Sequence, residues 1–458
     1  MGRTVRGALG AAACAVACLV SACGSDSGGG EGGGASGLEN GGNAQTGGAM
    51  SSSGGNSESG GVAGSAGEAG SAGEAGSGGV SGLHAADVEF CRGELERAAV
   101  HYEGFRSEYT DPSRIPRSAD TGKVRFVGPS DWTSGFPAGI FWMLYEFTGD
   151  GEWLEAAENW TSALRGQSLR TDTHDVGFVI NDSFGRGLRL TGNDDYRAAV
   201  LEAAESLSSR FDADVGATRS WDSGAWSFPV IIDNMMNLEL LFDASELGGS
   251  AKFREIAISH AKTTSANHFR ADSSSYHVVD YDPDGGGVLG KQTSQGLNDE
   301  SAWARGQAWG LYGFTMCYRK TEDAEFLERA GQIADFYTQS PAMPEDGVPY
   351  FDFDAPELVD VPDHRDASAG AIATSALFEL QRYATGEAQQ RYLAFALNSI
   401  RSLSSSSYRA AAGTNAHFLL QHSVGNYPRG DEIDVAINYA DYYFLEALLR
   451  CARLEDGS

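Results

Sequence analysis

Between residues 138 and 452 the chain alternates two kinds of apolar segment. Segments 138–147, 176–190, 230–246, 301–318 and 367–383 are rich in Ala, Gly, Met and aromatics on every side, the pattern of helices buried all round. Each is followed by a short polar turn and then by a segment that is apolar only at helical spacing, as an outer layer should be. The turns align: Leu144 to Trp153, Leu188 to Tyr196, Ser245 to Phe253, Tyr318 to Phe326 and, more loosely, Arg382 to Tyr392. In each an aromatic falls early in the second helix, and Asp, Asn or Ser at the turn is suited to cap it. Five hairpins, with helices expected at about 88–105 and 434–453, give twelve helices. Six inner helices ringed by six outer ones predict an all-α (α/α)6 barrel; an open solenoid is the alternative, but the copies are spaced too irregularly for one. The extra length at 273–298 predicts a strand or loop over one mouth.

Upstream the pattern collapses. Of 458 residues, 60 are Gly, and 24 of these fall within residues 24–83 among Ser, Ala and Glu. Such a stretch buries too little to offset ordering entropy and reads as a flexible tether. Before it, Arg3 and Arg6 precede an apolar run, Ala8 to Val20, that is too short to span a bilayer and ends Val20-Ser21-Ala22-Cys23. This resembles a bacterial lipobox with Cys23 as the lipidated residue; an ordinary signal peptide is the plainer alternative. The expected organisation is therefore signal 1–23, linker 24–85 and catalytic domain 86–458, exported and membrane-anchored through Cys23, in the cell envelope. Oligomeric state is left open, a monomer being the simplest case. Of the cysteines outside the signal, Cys91, Cys317 and Cys451 allow at most one disulfide, and the absence of any CxxC pair argues against zinc. The formal net charge is −30, which argues against nucleic acid and anionic lipid surfaces as partners.

Polar and aromatic residues gather just before or within the buried helices. They include Asp131-Trp132, His174-Asp175, Ile231-Ile232-Asp233-Asn234, Tyr276-His277, Gln295-Gly296, the run Ser301 to Trp309 with Arg305, Asp352 with Asp354, and Asp366. For Asp175 and Asp233 a helix N-cap is the commoner role, as core packing is for the tryptophans, and the histidines also read as hydrogen-bonded core groups. Arg305 is different: a guanidinium in so apolar a helix requires an anion, either Asp352 or Asp354 or a ligand carboxylate. Paired carboxylates, stacking tryptophans and one fixed arginine suit a glycan-active site for an acidic sugar.

These motifs occur in an order that resembles one family. Trp132-Thr-Ser-Gly-Phe136, His174-Asp-Val-Gly-Phe178, Ile231-Ile-Asp-Asn234, Ser275-Tyr-His-Val-Val-Asp-Tyr281, Ser301-Ala-Trp-Ala-Arg-Gly-Gln-Ala-Trp309, Pro349 to Pro356 and Arg365-Asp-Ala-Ser-Ala369 are similar to the unsaturated glucuronyl hydrolases, glycoside hydrolase family 88. The resemblance covers about 90–452 and implies an (α/α)6 barrel. It also implies removal of a 4,5-unsaturated glucuronate from the non-reducing end of lyase-generated oligosaccharides. The implied route protonates and hydrates the C4=C5 vinyl ether. It assigns Asp233 as general acid and base and Asp175 as its partner carboxylate. His277, Gln295, Arg305 and His174 bind substrate, Trp132 and Trp309 form walls, and no metal or organic cofactor is called for. The sequence departs from the usual pattern at Pro137-Ala138, Ser273 and Ser294, which bears on substrate preference. The alternatives are an unsaturated rhamnogalacturonyl hydrolase, a polysaccharide lyase through Tyr276-His277, and a non-catalytic glycan-binding lipoprotein. Loops at 284–298 and 357–365, with Lys291, His364 and Arg365, are the expected seat of linkage and sulfation preference.

Overall fold

The computed structural model describes residues 84–357 and 364–454. The signal, Cys23 and the glycine-rich linker lie outside the described residues, as does most of the 357–365 loop. Among the described residues no helix is long and apolar enough to cross a membrane.

Helices follow one another in chain order as α1 (Ala85–Glu108), α2 (Gly135–Thr148), α3 (Gly151–Ser162), α4 (Val176–Ile180), α5 (Arg186–Thr191), α6 (Asp194–Ser208), α7 (Asn234–Glu246), α8 (Ala251–Asn267), α9 (Ala304–Thr321), α10 (Ala324–Gln339), α11 (Ala367–Leu380), α12 (Gly386–Leu403) and α13 (Asn438–Cys451). Helices α4 and α5 are one inner helix widened by a π turn at Asn181–Gly185. The inner ring runs α2, α4–α5, α7, α9, α11, α13, each packed on the next, and α13 returns to α2. The chain is therefore a closed α/α barrel, not an open solenoid.

Local chemistry explains the hairpins. Asp150, Asn193, Ser250 and Asp323 each accept a backbone N–H two residues on, capping α3, α6, α8 and α10. The preceding helices end in left-handed residues, Gly149 (φ 69°) and Gly192 (φ 67°) after α2 and α5. After α9 the same position is Glu322 (φ 57°), where a Cβ makes that conformation costly. The outer helices bury one stripe, for example Phe326, Ala330, Ile333, Ala334 and Tyr337 of α10, while α9 is buried from Ala304 to Cys317.

The expectation of an all-α fold is corrected by three small antiparallel sheets. Strands β1 (Ile115–Asp120), β2 (Lys123–Val127), β3 (Phe211–Asp212), β4 (Ala217–Thr218), β5 (Pro229–Ile231), β6 (Val278–Tyr281), β7 (Val288–Gln292), β8 (Ser423–Asn426) and β9 (Asp431–Ile437) pair in the orders β2-β1-β9-β8, β3-β4 and β5-β6-β7. They lie in the connections between hairpins. The strand expected within 273–298 is the β6–β7 pair, with Val278 opposite Gln292. The helices expected at 230–246 and about 434–453 open as strand over 230–231, within β5, and 434–437, within β9. Their runs of β-branched residues (Val230, Ile231; Ile433, Val435, Ile437) find edges to pair with, and pairing overrides helical spacing.

A disulfide joins Cys91 of α1 to Cys451 of α13, with Cα atoms 6.1 Å apart, and Cys317 stays buried and free. It staples the first outer helix to the last inner one.

Candidate active site

The inner helices bring their N-terminal ends, and the residues just before them, to one mouth of the barrel. Asp233 precedes α7 and Asp175 precedes α4, both at N-cap positions. Neither side chain makes a capping hydrogen bond, which sets aside the reading of them as simple caps. The two helices approach closely because residue 177 is glycine. A Cβ there would sit 2.5 Å from Asn237 Oδ1, the atom that accepts the Phe178 N–H at 2.8 Å. Gly177 and Asn237 thus set the separation of the helices that carry the two carboxylates.

Asp233 is buried, and its Oδ2 has no hydrogen-bond partner. Burial is the main cause that lifts its carboxyl to about 7; Arg305 opposes the rise and the negative charge of Asp175 adds to it. A carboxyl with that value holds a proton in a good fraction of molecules at neutral pH and gives it up readily. Asp175 accepts from Thr173 Oγ1 at 2.9 Å. His174 Nδ1 lies 2.9 Å from Ser220 O; a carbonyl only accepts, so Nδ1 carries the proton. Its Nε2 lies 3.1 Å from Asp175 Oδ1.

His277 is fixed in the other tautomer. Its Nδ1 accepts the backbone N–H groups of Ser294 (3.0 Å) and Gln295 (3.3 Å), which leaves the proton on Nε2. Burial, with the nearby charge of Arg305, lowers its pKa to about 3, so the ring is a neutral donor. That Nε2 has no hydrogen-bond partner and lies 3.8 Å from Asp233 Oδ2. The sheet explains the pairing: Ile231 sits opposite Val278 and Ile232 N–H donates to His277 O, so β5 and β6 deliver Asp233 and His277 side by side. Trp303 closes the ring's other side, 4.4 Å between centroids.

Arg305 is almost wholly buried. Its anionic partner is Asp366 at 3.2 Å, which corrects the expectation of Asp352 or Asp354. Asp366 itself caps α11 through Ser368 and Ala369 N–H. The other terminal N–H groups of Arg305 donate to Val424 O, to Gly425 O (2.7 Å) and to Gln295 Oε1 (2.5 Å). Asp352 and Asp354 instead accept backbone N–H groups of Leu297 (2.9 Å) and Ala302 (2.8 Å) and shape the turn into α9. Trp309 is fully buried against Phe178 and Tyr443, with its Nε1–H unpartnered. Trp132 is half-buried and packs on Phe136, Phe178 and Tyr439. Trp132, Gln295 and Arg305 line a cavity of about 260 Å³ together with Arg117, Arg429 and Tyr439.

All eight residues singled out in the sequence therefore lie at this mouth. Four contributors were missed: Tyr439, the carbonyls of Val424 and Gly425, and Ser220. Tyr439 begins α13 as Asp233 precedes α7, so the rule that inner-helix starts carry the site residues points to it. Among the described residues no cluster of His, Cys, Asp or Glu is arranged to hold a metal ion.

A closed helical barrel with an acid of raised pKa, a neutral histidine donor and a buried arginine at one mouth is equipped for acid–base chemistry on a polar substrate. No family model matches the chain. An unsaturated glucuronyl hydrolase from Formosa agariphila is 46% identical over 343 residues, which cover 74% of this chain and 84% of that protein. The crystal structure of an unsaturated glucuronyl hydrolase specific for heparin, 44% identical, superposes with a TM-score of 0.77 over 80% of this chain and 98% of its own. A mutant unsaturated glucuronyl hydrolase from Streptococcus agalactiae, complexed with dGlcA-GalNAc6S, is 28% identical with a TM-score of 0.67 over 79% of this chain and 90% of its own. The chain belongs to the unsaturated glucuronyl hydrolases, glycoside hydrolase family 88, as its motifs led one to expect.

Proposed function

We propose that this chain hydrolyses the unsaturated glucuronate from the non-reducing end of glycosaminoglycan-type oligosaccharides left by a lyase. The observation that carries the reading is Asp233: a buried carboxyl whose pKa is lifted to about 7, with a free oxygen facing the neutral Nε2–H of His277. The substrate's C4=C5 bond is a vinyl ether. Asp233 gives its proton to C4, and positive charge develops at C5 and the ring oxygen. The carboxylate left behind takes a proton from a water molecule as its oxygen bonds to C5. The C5 hemiketal then opens to a ketone, C1 becomes an aldehyde, and the remaining sugar leaves as the alcohol. Asp175 lies close enough to raise the Asp233 pKa, and the Thr173 hydroxyl, donating to it, holds it in place. The glycosidic bond is never attacked directly, so the separation of the carboxylates does not decide between retention and inversion.

The test uses the C4=C5 chromophore. Incubation of the protein with an unsaturated chondroitin or hyaluronan disaccharide removes its near-ultraviolet absorbance. A rise in absorbance on intact polymer would mark a lyase instead, and constant absorbance on every uronate would overturn the reading.

A further inference from the structure

His277 carries its proton on Nε2 because Ser294 and Gln295 aim their backbone N–H groups at Nδ1. Those donors belong to the irregular segment 293–301 between β7 and α9. What holds the segment therefore holds the tautomer. Its hydrogen-bonded N–H groups turn to acceptors within the segment or to His277, with one exception among the described residues. Leu297 N–H donates at 2.9 Å to Asp352 Oδ2, in the connection between α10 and α11.

Asp352 is firmly placed for this. Its side chain is wholly buried, and the same Oδ2 accepts the Ser301 hydroxyl at 2.7 Å. Its Oδ1 accepts Asp354 N–H at 3.1 Å. An antiparallel bridge to Trp303 fixes its backbone: Phe353 N–H donates to Ala302 O (2.9 Å) and Ala304 N–H to Phe351 O (3.1 Å). The segment is pressed onto the carboxylate. A Cβ on Gly296 would stand 3.1 Å from Asp352 Oδ2 and 2.9 Å from Cβ of Trp303, whose ring packs on His277.

We propose that Asp352 is a positioning residue: by clamping Leu297 it holds the Ser294 and Gln295 N–H groups on Nδ1 of His277, and so keeps the Nε2–H turned toward Asp233. In the other tautomer the Nε2 lone pair faces that carboxyl and competes for the proton it must give to C4. The effect on turnover rests on the function proposed above; the tautomer does not.

Asp352→Ala removes the clamp. Nitrogen NMR of histidine-labelled protein reads the ring, with the His277 signals assigned by their loss in His277→Gln. Wild type shows the single Nε2–H form and Asp352→Ala a mixture of the two. On the unsaturated disaccharide kcat/KM falls about 10- to 100-fold, chiefly in kcat, as misplacement near the chemistry does. Asp352→Asn keeps the single form and most of the activity, because its amide oxygen takes the Leu297 and Ser301 donors. Should Asp352→Ala fail to fold, Gly296→Ala leaves Asp352 in place but pushes the segment off it, with the same mixture expected. A single Nε2–H form in the variant read overturns the proposal, and so does a mixed ring with undiminished kcat. Absence of turnover in wild type would sink the hydrolysis reading instead and leave the ring as the test of the clamp.

Discussion

The two mouths of the barrel enclose cavities of similar size, about 260 Å³ at the N-terminal ends of the inner helices and about 280 Å³ at the C-terminal ends. Both are lined by charged and aromatic residues. They differ in how far those residues satisfy one another. At the far mouth Arg186, Arg319, Lys320 and Arg450 interlock with Glu239, Asp243, Glu379 and Glu446, while Tyr312 and Tyr442 take the remaining donors. Of its lining only Asn181 Oδ1 and Asp182 Oδ2, at the π turn, lack partners among the described residues. The site mouth instead leaves free atoms on Asp233, His174, His277, Arg305, Trp309 and Tyr439. Charge and aromatic content do not distinguish the two ends; unspent hydrogen-bonding capacity does. One end is a lattice that closes on itself, and the other keeps buried polar atoms without partners.

The contrast breaks most sharply at Asp233. Asp233→Asn lowers kcat about 10²- to 10⁴-fold, as loss of a general acid and base does, with unchanged circular dichroism. The wild-type pH profile sharpens the point. The folded carboxyl, at about 7, binds its proton more tightly than the ordinary value of 3.8. The acid form therefore disappears above about pH 7, and kcat/KM falls about tenfold per pH unit there. Because the folded state holds the extra proton between those values, this group's contribution to stability falls as pH rises through that window. Asp233→Asn is accordingly more stable relative to wild type at pH 8 than at pH 4, read by denaturant titration.

The far mouth responds in the opposite currency. Burial pushes the Glu446 carboxyl up, but Arg450 and Arg186 outweigh it and hold it at about 2. Glu446→Gln removes one carboxylate shared by Arg186 and Arg450, which keep Glu146 and Glu379, and costs about 1.5–3 kcal/mol in denaturant unfolding, with KM and kcat of the folded enzyme within about twofold. A large loss of kcat with intact stability would erase the distinction between the mouths. The smallest effect lies at the hairpin turn that follows α9, next to the far mouth. Glu322→Gly relieves a left-handed residue where α2 and α5 are followed by glycine, and stabilises by about 1 kcal/mol in thermal unfolding.

Much of this was legible in the chain, and what was not has physical reasons. Hairpins, caps and buried helices follow from periodicity and turn chemistry, so α2, α9 and α11 begin within about three residues of where the pattern places them. The site carboxylates were legible because they stand at helix starts with no apolar alternative. Arg305 was recognised as needing an anion, but its partner was not. Asp366 lies on another inner helix, and two of its remaining acceptors are backbone carbonyls of β8, which carry no side-chain signature. Tyr439 was hidden among Tyr442 and Tyr443, and only burial of its hydroxyl separates it from a core aromatic. The sheets were missed where short β-branched runs also fit a helix; long-range pairing such as Ser118 with Ile437 decides them.

The Cys91–Cys451 bond has a consequence for wear. It turns nearly the whole barrel into a covalent ring, so one proteolytic cut in any connecting loop between those cysteines yields a nicked molecule and not two fragments. The cut pieces stay at high effective concentration and keep their inner-helix contacts. An enzyme built this way can lose a peptide bond on its surface and still present the same mouth to its substrate.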